Sequence, residues 1–143
     1  MNTAKVKEFW DQQAETFGSS DIATAPDHHY RQLEISRIID NLIDGENVLD
    51  VGCGNGYSTR KFMNVNGSGL VTGVDYSSKM IDEAKEAYVM NMNTWGSEDY
   101  RFVVGDVLNL SKQFQPEYDT IISERCLINL ANWDEQQHAI LEI

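Results

Sequence analysis

The sequence predicts an α/β protein whose core is a doubly wound parallel sheet with helices on both faces. From residue 48 onward, short apolar runs alternate with segments of helical period, and parallel strands need such crossover helices to connect them. A length of 143 residues suits one domain. We therefore expect a single domain over residues 1–143, with N-terminal cap helices over about 1–44 and the sheet-containing core over about 45–143.

Charge and composition exclude several classes of partner. Lys and Arg number 11 against 23 Asp and Glu, a net charge of −12, which disfavours nucleic acid and anionic membranes because both reward a basic surface. Residues 1–17 carry charges throughout and have no apolar stretch typical of a secretory signal. Two widely separated cysteines, Cys53 and Cys126, indicate reduced thiols. We expect a cytoplasmic protein that does not insert into membranes.

The N-terminal region predicts two helices joined by a loop. The first helix covers residues 5–17, the loop of small and polar residues covers 18–26, and the second helix covers about 29–43 before Asp44-Gly45 ends it. Helical period places these apolar residues on the inner faces: Val6, Phe9, Trp10, Ala14 and Phe17 in the first helix, and Leu33, Ile35, Ile38, Ile39 and Leu42 in the second.

The core predicts four strands separated by helices. The strands cover residues 48–51, 70–74, 101–104 and 118–123, and a helix follows the first strand over about 57–65. Ser77 or Ser78 caps the next helix, and Asn132 with Glu135 resembles a capping box for the last one. One face of the helix after the second strand carries Met80, Ile81, Ala84, Tyr88 and Met92.

A glycine-rich loop follows the first strand. Gly52, Gly54 and Gly56 run as G-x-G-x-G, and such glycines let the backbone turn tightly and approach a ligand. The dinucleotide fingerprint G-x-G-x-x-G is not met, because Tyr57 stands at its sixth position. A tight turn with no ligand is the alternative interpretation.

Acidic residues end the next two strands. Asp75 follows the second strand and Asp106 the third, so both lie at the carboxyl edge of the predicted sheet, where ligands bind in open α/β folds. A carboxylate at the position of Asp75 can accept two hydrogen bonds from the vicinal hydroxyls of a ribose. A solvated aspartate that caps a helix is the alternative.

Four ordered motifs within about residues 47–131 carry a family resemblance. They read VLDVGCGNG, GVDYSSKM, GDV and YDTIISERCLINL. In this order and spacing the sequence resembles the class I S-adenosylmethionine (SAM) dependent methyltransferases of the methyltransferase-domain type. The resemblance implies a Rossmann-like sheet of strand order 3-2-1-4, SAM as cofactor with S-adenosylhomocysteine (SAH) as product, and in-line methyl transfer to a small-molecule acceptor.

The resemblance also implies roles for individual residues. At the methionine end of SAM it places Asp50, Gly52, Gly54 and Gly56. Asp75 would hold the ribose, Tyr76 and Met80 would flank the adenine, and Asp106 and Val107 would bind the adenine edge. Glu124 and Arg125 would lie beside the methyl group, and Arg31 would pair with the SAM carboxylate.

Three further interpretations stay open at this stage. Glu124 is a candidate catalytic base for a hydroxyl or amine acceptor, or it organises the pocket. His28 and His29 either reach a substrate from the cap or are solvated. Cys53 and Cys126 either approach each other or are two small thiols beside the cleft. No clustered metal-ligand spacing occurs, so no metal site is expected.

The sequence departs from the family pattern in its strand count. The family completes a seven-stranded sheet, whereas about four strands are predicted here, and the C-terminal part of the family domain is absent. The fourth strand would then have an unpaired edge, which predicts a homodimer. Two alternatives to an active methyltransferase are a non-catalytic SAM-binding or assembly module and, less favoured, an NAD-dependent oxidoreductase.

Overall fold

A computed structural model describes residues 3–67, 69–92, 101–114 and 118–143. Its parallel sheet contains four strands, β1 Val48–Val51, β2 Val71–Asp75, β3 Phe102–Val104 and β4 Thr120–Ile122. Their order is β3-β2-β1-β4, which confirms the predicted topology. The chain reverses its direction of travel across the sheet beside β1, and a ligand crevice is expected at such a point.

Six α-helices and three short 3-10 turns accompany the sheet in the described residues. The helices are α1 Thr3–Phe17, α2 His28–Ile39, α3 Tyr57–Val65, α4 Ser78–Met92, α5 Leu110–Gln113 and α6 Trp133–Glu142. The 3-10 turns are Asp21–Ala23, Val107–Asn109 and Leu127–Asn129. None of these described helices is long and apolar enough to span a bilayer.

Two helix starts follow the predicted capping signals. The Ser77 hydroxyl accepts a hydrogen bond from the Met80 amide at 3.1 Å at the start of α4. At the start of α6, Asn132 accepts from the Glu135 amide at 2.9 Å, while Glu135 reaches back to the Ala131 amide at 3.0 Å. These contacts satisfy backbone donors that a helix leaves unpaired at its first turn.

The sheet buries both faces, as a doubly wound fold requires. Successive β1 residues point to opposite sides, so Leu49 and Val51 pack into one apolar cluster and Val48 into another. The first cluster includes Ala139 from α6, and the second includes Phe62 from α3 and Ile35 from α2. All four β1 residues are buried, and β1 is therefore the rigid element from which the glycine loop begins.

The N-terminal cap is anchored over the start of α4. Trp10 and Ala14 of α1 pack with Met80 of α4, and the Ser77 hydroxyl donates a hydrogen bond to the Asp11 carboxylate at 2.5 Å. The cap therefore lies beside the end of β2 and forms one side of the region above the sheet.

The structure corrects several details of the predicted elements. The predicted loop contains the 3-10 turn Asp21–Ala23, and α2 ends at Ile39 rather than near residue 43. Leu33 is 56% exposed, because the buried residues of α2 are Arg31 and Ile35, one turn apart, and Leu33 lies off that face. The predicted inward side chain of Met92 lies outside the described side chains.

Candidate functional site

A cleft opens at the carboxyl ends of the strands. About 1110 Å³ of space lies within it, part of it open solvent. Residues from all parts of the described chain line it: Val6, Trp10, Thr24, Arg31, Asp50, Gly52, Gly54, Asp75, Tyr76, Met80, Asp106, Val107, Glu124, Arg125 and Cys126 are among them. Eleven of the twelve predicted site residues are in this set.

The glycine loop presents backbone to the cleft because no side chain fits there. Gly52 has φ +79° and Gly54 has φ +54°, both in the left-handed region that favours glycine. A Cβ on Gly52 would lie 2.5 Å from the Cβ of Cys126, and one on Gly54 would lie 2.6 Å from Cγ2 of Thr24. Both contacts are closer than real Cβ atoms tolerate.

Gly56 is the predicted site residue that does not line the cleft. Its φ is +69°, and an added Cβ would lie 2.6 Å from the Phe102 ring and 3.0 Å from the Cβ of Ala84. The absence of a side chain at Gly56 is therefore explained by close packing of the α3 start against β3 and α4. Its glycine spacing in the sequence suggested a ligand contact, but the structure shows a core contact.

Asp75 ties the glycine loop to the turn after β2. Its Oδ2 accepts from the Gly54 amide and its Oδ1 from the Ser77 amide, both at 2.8 Å. Burial raises the pKa of Asp75, and the backbone donors lower it. A carboxylate has about four acceptor positions, so Asp75 keeps capacity for hydroxyl donors beyond its backbone bonds.

Asp50 is a buried acid at the end of β1. It is 2% exposed, and its Oδ2 accepts from the Thr59 hydroxyl at 2.5 Å. Burial raises the pKa of Asp50 to about 7; the Thr59 bond opposes this rise, the charge of Glu124 adds to it, and the charge of Arg31 opposes it. Asp50 is therefore more easily protonated than a solvated aspartate.

Arg31 and Glu124 bring opposite charges to the cleft with unused hydrogen-bonding capacity. Arg31 is 4% exposed, and its Nε has no hydrogen-bond partner among the described residues. Oε1 of Glu124 is likewise buried without a partner in the described part of the chain. Burial lowers the pKa of Arg31, and the charge of Glu124 opposes that change. Buried polar atoms left unpaired are costly, so each of these two atoms has capacity to pair with a bound molecule or with water.

Arg125 lines the cleft, but its guanidinium is committed elsewhere. Nη2 of Arg125 donates to Oε2 of Glu34 on α2 at 2.6 Å. The backbone φ of Arg125 is +55°, and Arg125 is the residue other than glycine that has a positive φ in the described part of the chain. Sequence reasoning did not identify Glu34, because 91 residues separate it from its partner.

The adenine-side candidates also lie at the cleft. Asp106 caps the 3-10 turn Val107–Asn109, with Oδ1 accepting from the Leu108 amide at 2.9 Å. Val107 lies directly after it, and Met80 is fully buried while Tyr76 is 42% exposed. Asp106 therefore caps this 3-10 turn and also lines the cleft.

The histidine pair lies outside the cleft lining. His28 and His29 are exposed, and Nδ1 of His28 contacts the Asp21 carboxylate. The two cysteines are separate free thiols, and burial raises the pKa of Cys126 to about 12. No group of three or more His, Cys, Asp or Glu side chains within the described ranges is arranged to hold a metal ion.

Part of the cleft wall was missed by sequence reasoning. Val6 and Trp10 of α1 and Thr24 of the loop line one side, and Asn129 and Glu135 line another. Helical period identified Trp10 only as a core residue, because period shows which face is buried and not whether that face borders a ligand.

Comparison with known proteins places this geometry in a family. A family described as "Methyltransferase domain" matches residues 42–143. Demethylmenaquinone methyltransferase of Tropheryma whipplei is 29% identical over 134 residues, which cover 92% of this chain and 51% of that protein. The chain thus spans about half the length of this relative.

Solved structures show the same fold. Magnesium protoporphyrin IX methyltransferase from Synechocystis PCC 6803, crystallised with bound SAH, superposes with a TM-score of 0.72 at 21% identity, covering 99% of this chain and 66% of that one. A TehB-like SAM-dependent methyltransferase from Corynebacterium glutamicum superposes with a TM-score of 0.60 at 22% identity, covering 99% and 66%. With the family match over residues 42–143 and the predicted strand order confirmed, the chain belongs to the class I SAM-dependent methyltransferase family.

Proposed function

We propose that this chain binds SAM in the cleft and transfers its methyl group to a small-molecule acceptor. The observation that carries the proposal is the convergence at one sheet edge of the glycine loop, Asp75, Asp106 and the Arg31–Glu124 pair of charges. Each feature alone has a structural explanation. Their presence around one cleft supports a ligand with an amino-acid end, a ribose and a base.

Two unpaired charged groups of the cleft fit the amino-acid end of SAM. That end carries one carboxylate and one ammonium group. The cleft offers the Nε donor of Arg31 and the Oε1 acceptor of Glu124, both buried and without a hydrogen-bond partner among the described residues. The backbone at Gly52 and Gly54 leaves room beside them that any Cβ would fill. These features support binding of the methionine moiety here, with Arg31 on the carboxylate.

The other side of the cleft fits the nucleoside. We assign the ribose hydroxyls to Asp75, whose carboxylate has acceptor capacity beyond its backbone bonds. Tyr76 and Met80 offer flat and apolar surface to the adenine ring, and Asp106 and Val107 lie at its edge. We assign these contacts from the family resemblance, and the residues named all line the cleft.

Methyl transfer requires the chain mainly to align the methyl donor with the acceptor. When bound, SAM supplies a methyl group on a cationic sulfur that is open to in-line displacement. The chain's residues then have to orient the acceptor and exclude water. Glu124 has two candidate roles. It binds the ammonium group of SAM, or it acts as the catalytic base when its Oε1 takes a proton from the methyl acceptor. Glu124→Gln separates the two roles: loss of SAH affinity supports ammonium binding, whereas loss of turnover alone supports the base.

Two observations support a small-molecule acceptor. The net charge of −12 disfavours nucleic acid, and the names of the relatives, demethylmenaquinone and magnesium protoporphyrin IX methyltransferase, specify small acceptors for those proteins.

The two free thiols support a reducing, cytoplasmic setting.

We also propose that the chain self-associates through β4. This strand pairs with β1 on one side, no described strand pairs with its other side, and Ile121 there is 36% exposed. An open edge of this kind can pair with a second copy.

Calorimetric titration of the purified chain with SAM, SAH and NAD tests the proposed function. We expect saturable binding of SAM and SAH and none of NAD. Binding of SAM without methyl transfer to any acceptor tried would favour a non-catalytic binding module. Binding of NAD alone would overturn the proposal.

A further inference from the structure

Arg125 has an unusual backbone conformation. Its φ of +55° places a residue with a Cβ in the left-handed region, which residues other than glycine, asparagine and aspartate seldom adopt. Such a conformation persists only where surrounding contacts hold it, and it is concentrated at functional sites. Arg125 lies directly between Glu124 and Cys126, both of which line the cleft.

Two side chains from other positions hold this conformation. Oε2 of Glu34 accepts from Nη2 of Arg125 at 2.6 Å, and Nδ2 of Asn129 donates to the Arg125 carbonyl oxygen at 2.7 Å. The side chains of Arg125 and Glu34 are 31% and 23% exposed. A charged pair screened from water to this degree holds its geometry better than an exposed one.

The ion pair joins the two segments that supply charge to the cleft. On α2, Glu34 follows Arg31 by three residues, so the two lie on neighbouring turns of the same helix side. On the other segment, Arg125 is the chain neighbour of Glu124. Movement of α2 relative to the segment after β4 would therefore change the distance between the Arg31 guanidinium and the Glu124 carboxylate.

We propose that Glu34 is a positioning residue for the cofactor's amino-acid end. Through its ion pair with Arg125 it holds Arg31 and Glu124 in place across the cleft before the ligand arrives. This inference rests on the proposed function, and it gives Arg125 a role in positioning through Glu34 rather than in direct contact with the methyl group. Preorganised groups bind more tightly because less freedom is lost on binding.

The experiment compares two ligands that differ only at the amino-acid end. SAH has this end, whereas 5′-methylthioadenosine keeps the nucleoside and the sulfur but lacks it. We expect Glu34→Ala to weaken SAH binding by about tenfold, as release of two side chains implies, and to leave the affinity for 5′-methylthioadenosine unchanged. A general loss of structure would weaken both ligands alike.

Two further variants complete the test. Arg125→Gly removes the guanidinium but allows the left-handed turn, so this variant tests the ion pair even if Glu34→Ala fails to fold. We expect it to weaken SAH binding and to leave the affinity for 5′-methylthioadenosine unchanged. In the double variant the loss should be no larger than in either single one, because both remove one interaction. Arg37→Gln is the matched control, since it breaks only the exposed Arg37–Asp40 pair on the same helix and should change neither affinity.

The outcomes separate this inference from the proposed function. If the wild-type chain does not bind SAH, the proposed function fails and the inference fails with it. If the wild type binds SAH but Glu34→Ala and Arg125→Gly weaken both ligands equally, weaken neither, or add in the double variant, the inference alone is overturned.

Discussion

The contact between Gly54 and Thr24 provides a quantitative test of the glycine loop. The sequence suggested that a side chain at position 54 would take space a ligand needs. The structure shows that a Cβ there would first meet Cγ2 of Thr24 at 2.6 Å, whereas the Cβ of Thr24 would be at an ordinary 3.7 Å. One methyl group of the N-terminal cap therefore decides whether alanine fits.

The expected effect of Gly54→Ala has two parts. The left-handed φ of +54° costs alanine about 1–2 kcal/mol, and overpacking against the Thr24 methyl costs about 1–3 kcal/mol more. We expect Gly54→Ala to lower the free energy of unfolding by about 2–5 kcal/mol. Thr24→Ser removes only the clashing methyl, so in the double variant the cost should return to about 1–2 kcal/mol plus the small effect of Thr24→Ser alone.

Urea unfolding of the wild type, the two single variants and the double variant measures this coupling. SAH titration of each folded variant then reports whether the loop still binds. The steric reasoning is refuted if Gly54→Ala is as stable as the wild type, or if Thr24→Ser gives no recovery in the Gly54→Ala background.

Three other predictions concern the acids of the site and the sheet edge. Asp75→Ala should weaken SAH binding by about 1.5–3 kcal/mol in calorimetry, and should also lower the free energy of unfolding, because the Gly54 and Ser77 amides lose their acceptor. Burial raises the pKa of Asp50 to about 7, above its value of about 3.9 in the unfolded chain. The folded state thus binds the extra proton, so this residue's contribution to stability falls as pH rises from about 4 to about 7, and Asp50→Asn should flatten that part of a urea-unfolding pH series. Finally, light scattering across a concentration series should show dimers that Ile121→Lys converts to monomers.

Each of these predictions has a contrary outcome. Unchanged SAH affinity in Asp75→Ala would remove that carboxylate from the site. A pH series identical in the wild type and Asp50→Asn would mean that Asp50 titrates like a solvated acid. A monomeric wild type at high concentration would mean that the β4 edge does not pair with a second copy.

The strands and their order were predictable because their signals are local. The apolar run of β1, the glycines after it and the acid that ends β2 follow each other within 28 residues, from Val48 to Asp75. The order β3-β2-β1-β4 was implied by the family resemblance, which rests on these local motifs, so it needed no distant contact to be inferred.

The contacts that shape the cleft could not be predicted, because they join residues far apart in the chain. The sequence shows a glycine at position 56 but not that the Phe102 ring fills the space beside it. It shows Glu34 and Arg125 but not that these side chains, 91 positions apart in the chain, approach to 2.6 Å. The inner face of α2 was misjudged at Leu33 for a related reason: a charged residue, Arg31, occupies the buried side because the cleft lies there.

Binding of SAM and SAH in the cleft is tested most directly by an amide NMR titration of this 16.2 kDa chain with SAH. We expect saturable shifts at Gly52, Gly54 and Val107, which line the cleft, and none at His28 or His29, which lie outside its lining. Saturable shifts confined to residues away from the cleft, or no shifts at saturating SAH, would contradict this expectation.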